Sequence, residues 1–129
     1  MADGLSAYLA NAWVNTIRGG GNGTSYTAPA AIDATLHTAD PGSAGTTAAS
    51  AGSTASVAVT SGAASGGASA LSNSPQWTNG GTSETITDMA FTDGTNFLYS
   101  GQLTSSKPWN STDTLTLTSL AFSLGPMAS

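Results

Sequence analysis

The second half of the sequence consists of short apolar segments that alternate with polar residues, and this pattern constrains the fold more than any other feature. In ETITDMAFTDGTNFLYSGQL, residues 84–103, Met89 and Phe91 share one face of the first segment, and Phe97 and Tyr99 share one face of the second. A period of two residues is that of a β-strand, and the Asp-Gly pair between the segments favours a hairpin turn. The stretch therefore predicts two antiparallel strands.

Further segments with strand character lie on both sides of this hairpin, at residues 30–38 and 53–61 and in the last segment, 112–124. The apolar phase of the last segment changes once near Thr118, as it does at a β-bulge or a bend between two sheets. Ala, Ser, Thr and Gly dominate residues 44–70, which predicts a low-complexity loop around one short strand. We predict a mainly β fold, a small antiparallel β-sandwich or barrel of about six to seven strands.

The N-terminal residues have the period of a helix instead. Leu5, Leu9, Trp13 and Ile17 recur every fourth residue, which places them on one face of an amphipathic helix that three consecutive glycines then end. Because only this face is apolar, it must lie against the chain's own domain or against another subunit. The predicted organisation is an N-terminal helix at residues 1–20 and a single β domain at residues 21–129, with the low-complexity loop at about 44–70.

The scarcity of charge limits what the protein can bind. Charged residues make up 7% of the chain, and the net charge of −5 comes from seven acidic residues against two basic ones, Arg18 and Lys107. Two cations cannot neutralise a row of phosphates, so we expect no binding to nucleic acid or to an anionic membrane. The sequence has no cysteine and no signal-peptide pattern, so we expect synthesis in the cytoplasm. A surface of hydroxyls, amides and small side chains suits a protein that is held among neighbours in an assembly.

The single histidine lies in LHTADPG, residues 36–42. A zinc site would need further nitrogen or sulfur ligands, and a serine nucleophile would need a motif such as Gly-x-Ser-x-Gly, neither of which the sequence offers. We therefore interpret His37, Asp40, Pro41 and Gly42 as a structural turn at the end of a strand. The sequence predicts no catalytic residue, no metal site and no cofactor, and hence no enzyme.

Two tryptophans, Trp77 and Trp109, lie among residues that are typical of turns. Each indole suits either the core of a small β domain or a contact with another subunit, and the sequence leaves both alternatives open. Together with the helix face, they are the predicted partner or subunit contacts: Leu5, Leu9, Trp13, Ile17, Trp77 and Trp109.

Two parts of the sequence together resemble a family of small tailed-bacteriophage virion proteins. The first part is MADGLSAYLANAWVNTI with YTAPAAIDATLHTADPGSAGT, and the second is TITDMAFTDGTNFLYSGQLTSSKPWNSTDTLTLTSLAFSL. The family motif is a Tyr-x-x-Pro step followed by a strand that ends in Leu-His-Thr-x-x-Pro before a glycine. Its counterparts here are Tyr26, Pro29, Leu36, His37, Thr38, Pro41 and Gly45. The chain departs from the pattern at residues 111–114, where the family's glycine before Asp-Thr is missing. The resemblance covers all but about residues 46–75.

The resemblance implies a component of a virion, of the kind labelled tail-fibre-like, minor tail or head-decoration protein. With the composition and the helix face, it leads us to expect a non-enzymatic capsid decoration (cement) protein on the head exterior. Its expected partners are other virion proteins, the major capsid protein first, and further copies of itself in a homo-oligomer, a trimer being one candidate. The alternative is a tail-fibre or minor tail protein that binds a host surface glycan, which predicts exposed aromatic side chains over a polar pocket. A third class, a polysaccharide hydrolase, would need two carboxylates close together.

Overall fold

The computed structural model describes residues 3–18 and 23–124. Within them the chain forms one helix, α1 (Ala7–Ile17), and eight strands. The strands are β1 (Ile32–His37), β2 (Val57–Val59), β3 (Ala68–Ala70), β4 (Gln76–Thr78), β5 (Glu84–Thr92), β6 (Phe97–Trp109), β7 (Thr114–Thr116) and β8 (Ala121–Ser123). The prediction of a mainly β fold with one N-terminal helix is confirmed. There are eight strands instead of six or seven because three-residue strands form inside segments that resemble loops in sequence.

The strands form one larger sheet and two smaller ones, all antiparallel. The four-stranded sheet has the order β2-β1-β5-β6, while β3 pairs with β8 and β4 pairs with β7. The edge strands of the four-stranded sheet, β2 and β6, do not pair with each other, so the described residues do not form a closed barrel. The phase change near Thr118 is explained by these pairings, because β7 and β8 belong to different sheets and the chain bends between them.

One cluster of side chains holds the sheets together. Its buried members come from β1, β2, β4, β5, the end of β6 and Leu117, and they are Ala34, Leu36, Val59, Trp77, Ile86, Met89, Phe91, Trp109 and Leu117. The Phe91 and Tyr99 rings stack across the hairpin with their centroids 4.7 Å apart. Burial of these rings and aliphatic side chains supplies the main favourable free energy of folding.

The helix joins the sheet through the short segment that precedes it. The amide of Ser6 donates to Leu98 O at 2.7 Å and that of Ser100 donates to Gly4 O at 2.9 Å, so residues 4–6 pair with the outer edge of β6. The Ser6 hydroxyl then accepts from the Leu9 amide at 3.1 Å and caps the helix. The predicted end of the helix at the three glycines lies outside the described residues.

The β5–β6 hairpin has the predicted turn and an irregularity that the sequence did not reveal. Asp93 Oδ1 accepts from the amides of Thr95 and Asn96, which closes the turn. Further along the ladder, Asp88 faces Gln102 but Ile86 faces Lys107, so residues 103–106 lie opposite Thr87 alone. A bulge of this kind bends the strand away from a regular ladder.

The low-complexity tract is connected to the sheet by hydrogen bonds of its own chain. The Ser50 amide donates to Leu36 O at 2.9 Å, and the Gly80 amide donates to Gly52 O at 2.7 Å. Short strands β2 and β3 lie in its second half. These hydrogen bonds tie the tract to residues distant in sequence, although the tract contributes little apolar surface to the core.

Gly45 allows a close approach that no other residue type would permit. Its φ is +70°, and a Cβ built there would lie 2.7 Å from Cγ of Phe97. We expect Gly45→Ala to lower the free energy of unfolding by about 2–4 kcal/mol, because left-handed strain and overpacking add. Gly66→Ala is the matched control, since Gly66 has a φ of +58° with no atom near the position of a Cβ. It should cost only about 1–2 kcal/mol. Urea unfolding of both variants would measure the two losses, and equal losses would contradict the role of Phe97.

Candidate functional site

The predicted contact face of the helix is divided by the structure. Leu9 is 4% exposed and buried with Ala12 on the side of α1 that faces its own chain. Leu5, Trp13 and Ile17 are 55%, 38% and 82% exposed. Leu9 therefore anchors the helix within the monomer, and only the other three predicted residues can reach a partner.

An apolar surface remains on the outside of the helix, formed by Tyr8, Trp13, Val14 and Ile17, which we call the helix surface. Five of the six large hydrophobic side chains that are exposed in the described structure lie between Leu5 and Ile17. Sequence reasoning did not include Val14 because it is out of phase with the four-residue spacing. The helix docks through Leu9 and Ala12, so Val14 and Ile17 point away from the sheet. A concentrated apolar patch of this kind marks an interaction surface more often than scattered exposure does.

Trp77 and Trp109 lie in the core. The sequence left open whether these side chains form part of the core or contact another subunit, and the structure shows that they form part of the core. Trp77 is 1% exposed and its indole N–H donates to Ala55 O at 3.1 Å. Trp109 is 3% exposed, and its indole N–H donates to Glu84 Oε1 at 3.1 Å. The prediction that they contact a partner is corrected accordingly, because a buried ring has no surface left to offer. The partner contact was predicted because both tryptophans lie among residues that are typical of turns. In the structure Trp77 lies in β4 and Trp109 ends β6.

Glu84 collects four donors at the point where the low-complexity tract meets the sheet. The Ser50 hydroxyl donates to it in a short hydrogen bond, and the amides of Ala51 and Gly52 donate at 3.1 and 3.0 Å, in addition to Trp109. Burial alone would raise the pKa of Glu84, but these four hydrogen bonds outweigh it and lower the pKa below the ordinary value. This carboxylate is a structural hub, since every donor belongs to the same chain.

The residues of the predicted turn lie together at the end of β1. His37 is 1% exposed, its Nδ1 lies 2.7 Å from Thr47 O, and its Nε2 lies 3.0 Å from the Thr35 hydroxyl. A carbonyl can only accept, so Nδ1 donates to Thr47 O. Asp40 Oδ1 accepts from the Gly42 amide at 2.8 Å, Gly42 has a φ of +75°, and Pro41 is buried. Both ring nitrogens are engaged in holding the turn.

The carboxylates do not form a pair in an open cleft. Asp3 lies against Asp88, and burial first, then the neighbouring Asp88 and Asp40, raise the pKa of Asp3. Asp88 is 2% exposed and accepts a short hydrogen bond from the Thr87 hydroxyl. In the described part of the chain, no three His, Asp or Glu side chains converge as metal ligands, and no helix has the length and apolarity to cross a membrane.

A groove of about 520 Å³ lies between the irregular part of β6 and the segment that contains β7. One wall is formed by residues 101–105 and 107–109 and the other by residues 113–120, and Met89 and Phe91 also line the groove. Among its lining residues only Lys107 and Asp113 carry charge. Sequence reasoning missed this groove because its walls are brought together by the bulge in β6 and the bend after β7.

Comparison with known families identifies the chain's relatives. The family model described as podophage GP4 fiber I protein gp80 matches residues 4–125, nearly the whole chain. The chain belongs to this gp80 family. No curated protein matches it. The gp80 match includes residues 46–75, which the resemblance to phage virion proteins left uncovered.

Membership of the gp80 family makes this chain a phage structural protein and a component of the virion. The family description names a fibre, so it favours the tail-fibre alternative over the capsid decoration protein that the sequence led us to expect first. The Leu-His-Thr-x-x-Pro motif is not tested by the gp80 match. Its residues nevertheless have a structural reason to occur together, since His37 and Pro41 both hold the turn after β1.

Proposed function

We propose that this chain is a non-enzymatic tail-fibre protein, which attaches to the phage particle through its helix surface. The observation that carries the proposal is the match over residues 4–125 to the gp80 family, which is described as a podophage fibre protein. The number of carboxylates in the groove supports a structural role. Asp113 is the one described lining residue with a carboxylate, whereas glycoside hydrolysis needs two carboxyl groups.

Several features of the monomer support attachment through the helix surface. Tyr8, Trp13, Val14 and Ile17 expose apolar area to solvent, although a soluble monomer gains nothing from that exposure. The chain has few charges to oppose close packing with a neighbour. We propose another virion protein as the partner at this surface, and further copies of the chain as additional partners in a homo-oligomer.

The location in the particle can be tested directly. Quantitative mass spectrometry of purified virions should find far fewer copies of this protein than of the major capsid protein. Labelling with an antibody and electron microscopy should place it at the tail. A copy number close to that of the capsid protein, with label over the whole head, would support decoration and refute the tail-fibre proposal.

Charge on the helix surface should prevent attachment. We expect the double variant Val14→Asp, Ile17→Asp to reduce incorporation into virions by about tenfold or more, because a carboxylate buried without a partner costs several kcal/mol. The two side chains are 56% and 82% exposed, so the isolated protein should fold as before. Incorporation would be measured by complementing a phage that lacks the gene and quantifying the protein in purified particles.

The double variant Ala63→Asp, Ala64→Asp is the matched control. Both residues are exposed and lie between β2 and β3, whereas α1 packs on β6, the strand at the other edge of the four-stranded sheet from β2. The control adds the same two carboxylates away from the helix surface and should leave incorporation unchanged. Equal incorporation of the Val14→Asp, Ile17→Asp variant and the control would rule out the helix surface as the attachment site.

A further inference from the structure

We propose that the groove between β6 and the β7 segment is a binding site for a neutral saccharide. Its volume of about 520 Å³ lies within the range of about 300–1,000 Å³ that is usual for small-molecule sites. The inference deepens the proposed function, on which it rests for its biological meaning, since a fibre that meets a cell surface meets its glycans.

The polar side chains of the groove are free to bind hydroxyl groups. Six of them make no side-chain hydrogen bond within the described residues: Gln102, Thr104, Ser105, Thr114, Thr118 and Ser119. A Ser or Thr hydroxyl both donates and accepts, and the Gln amide does the same with separate atoms. Sugar hydroxyls also donate and accept, so each can find a complementary partner here.

Apolar side chains lie between these polar groups. Leu103, Leu115 and Leu120 line the walls and are only partly buried against the core. The C–H faces of a pyranose ring are apolar, so a sugar would bury them against these leucines while its hydroxyls reach the polar side chains. Because Trp77 and Trp109 are buried, aliphatic side chains take the place of the exposed aromatic platform that the glycan-binding alternative predicted.

The charges and the backbone of the groove disfavour other ligands. Lys107 and Asp113 are of opposite sign, so the groove has no net charge with which to attract a phosphate chain or an acidic polysaccharide. An extended peptide would need a regular row of edge amides to pair with. Residues 103–106 face Thr87 alone, so this part of β6 has no regular ladder to extend.

The test is binding of purified protein to defined sugars, followed by amide NMR. We would screen an array of neutral oligosaccharides, with sialylated and sulfated ones as anionic probes, and titrate the best neutral binder into labelled protein at millimolar concentration. The expected result is fast-exchange shifts confined to residues 101–109 and 113–120. Thr104→Val and Gln102→Ala should each weaken this binding about three- to tenfold, because each removes one hydrogen-bonding group.

Thr27→Val is the control, because Thr27 is exposed, lies outside the groove and makes no side-chain hydrogen bond to residues 3–18 or 23–124. It should leave the affinity unchanged. The proposal is overturned if no neutral sugar shifts these amides, if only anionic probes do, or if they shift with protein concentration alone, which would make the groove a subunit interface. Saccharide binding by a protein located on the head would refute the tail-fibre function alone, and a tail location without saccharide binding would refute this inference alone.

Discussion

Trp77→Ala is expected to lower the free energy of unfolding by about 3–5 kcal/mol, the usual cost of removing a large buried aromatic ring. The ring is 1% exposed and belongs to the core cluster that joins β4 to the four-stranded sheet. The substitution also leaves the carbonyl of Ala55 without its indole donor. Domains of this size are stable by only about 5–15 kcal/mol, so a large part of the total stability would be lost. Urea unfolding followed by circular dichroism would measure the loss.

Trp13→Ala is the matched control, since it is the same substitution at a tryptophan that is 38% exposed on the helix surface. More of the Trp13 surface is covered than exposed, so the substitution should lower the free energy of unfolding by about 1–2 kcal/mol, well below the loss expected at Trp77. For attachment to virions we expect Trp13→Ala to be the more harmful of the two substitutions. The Trp13→Ala protein folds but attaches poorly, while any Trp77→Ala protein that folds attaches normally. If Trp77→Ala left stability unchanged and impaired only attachment, the assignment of Trp77 to the core would be refuted.

The sequence predicts those parts of the fold that depend on neighbouring residues. The alternation of Met89 and Phe91 is visible without tertiary structure, as is the Asp-Gly turn before Phe97, because strand period and turn chemistry are local properties. The phase change near Thr118 likewise predicts a bend that the two separate pairings of β7 and β8 confirm.

The candidate sites depend on residues that are distant in sequence, and this is why sequence reasoning missed or misplaced them. The environment of Trp109 is set by Glu84, 25 residues earlier, and by the tract around Ser50 that Glu84 ties down. The groove exists because β6 bulges opposite Thr87 while residues 113–120 cross beside it. The helix surface could be predicted only in part, because docking through Leu9 decides which flank of the helix remains exposed.

Glu84→Gln is expected to lower the free energy of unfolding at neutral pH by about 2–3 kcal/mol, because hydrogen bonds to a charged acceptor are stronger than those to a neutral one. The amide of glutamine has one acceptor oxygen for the Ser50 hydroxyl, two backbone amides and the Trp109 indole, and its own N–H groups face these donors. We expect the low-complexity tract to loosen first. Hydrogen exchange at the amides of Ala51 and Gly52 would report this loss.

The same carboxylate should govern the response of the protein to acid. The folded state lowers the pKa of Glu84 below its ordinary value of 4.5, so its stabilising effect is complete above about that pH and is lost as the pH falls through the lower, folded-state pKa. The wild-type protein should therefore lose stability on acidification below about pH 4.5, and Glu84→Gln should flatten this dependence.

Asp93 provides the comparison, since hydrogen bonds from the Asn96 and Thr95 amides lower its pKa too, but within a single hairpin turn. Asp93→Asn should remove a smaller part of the acid dependence, because only Glu84 connects the tract around Ser50, the sheet and Trp109. An acid response unchanged in Glu84→Gln and abolished in Asp93→Asn would show that the hairpin turn, and not the Glu84 hub, governs unfolding by acid.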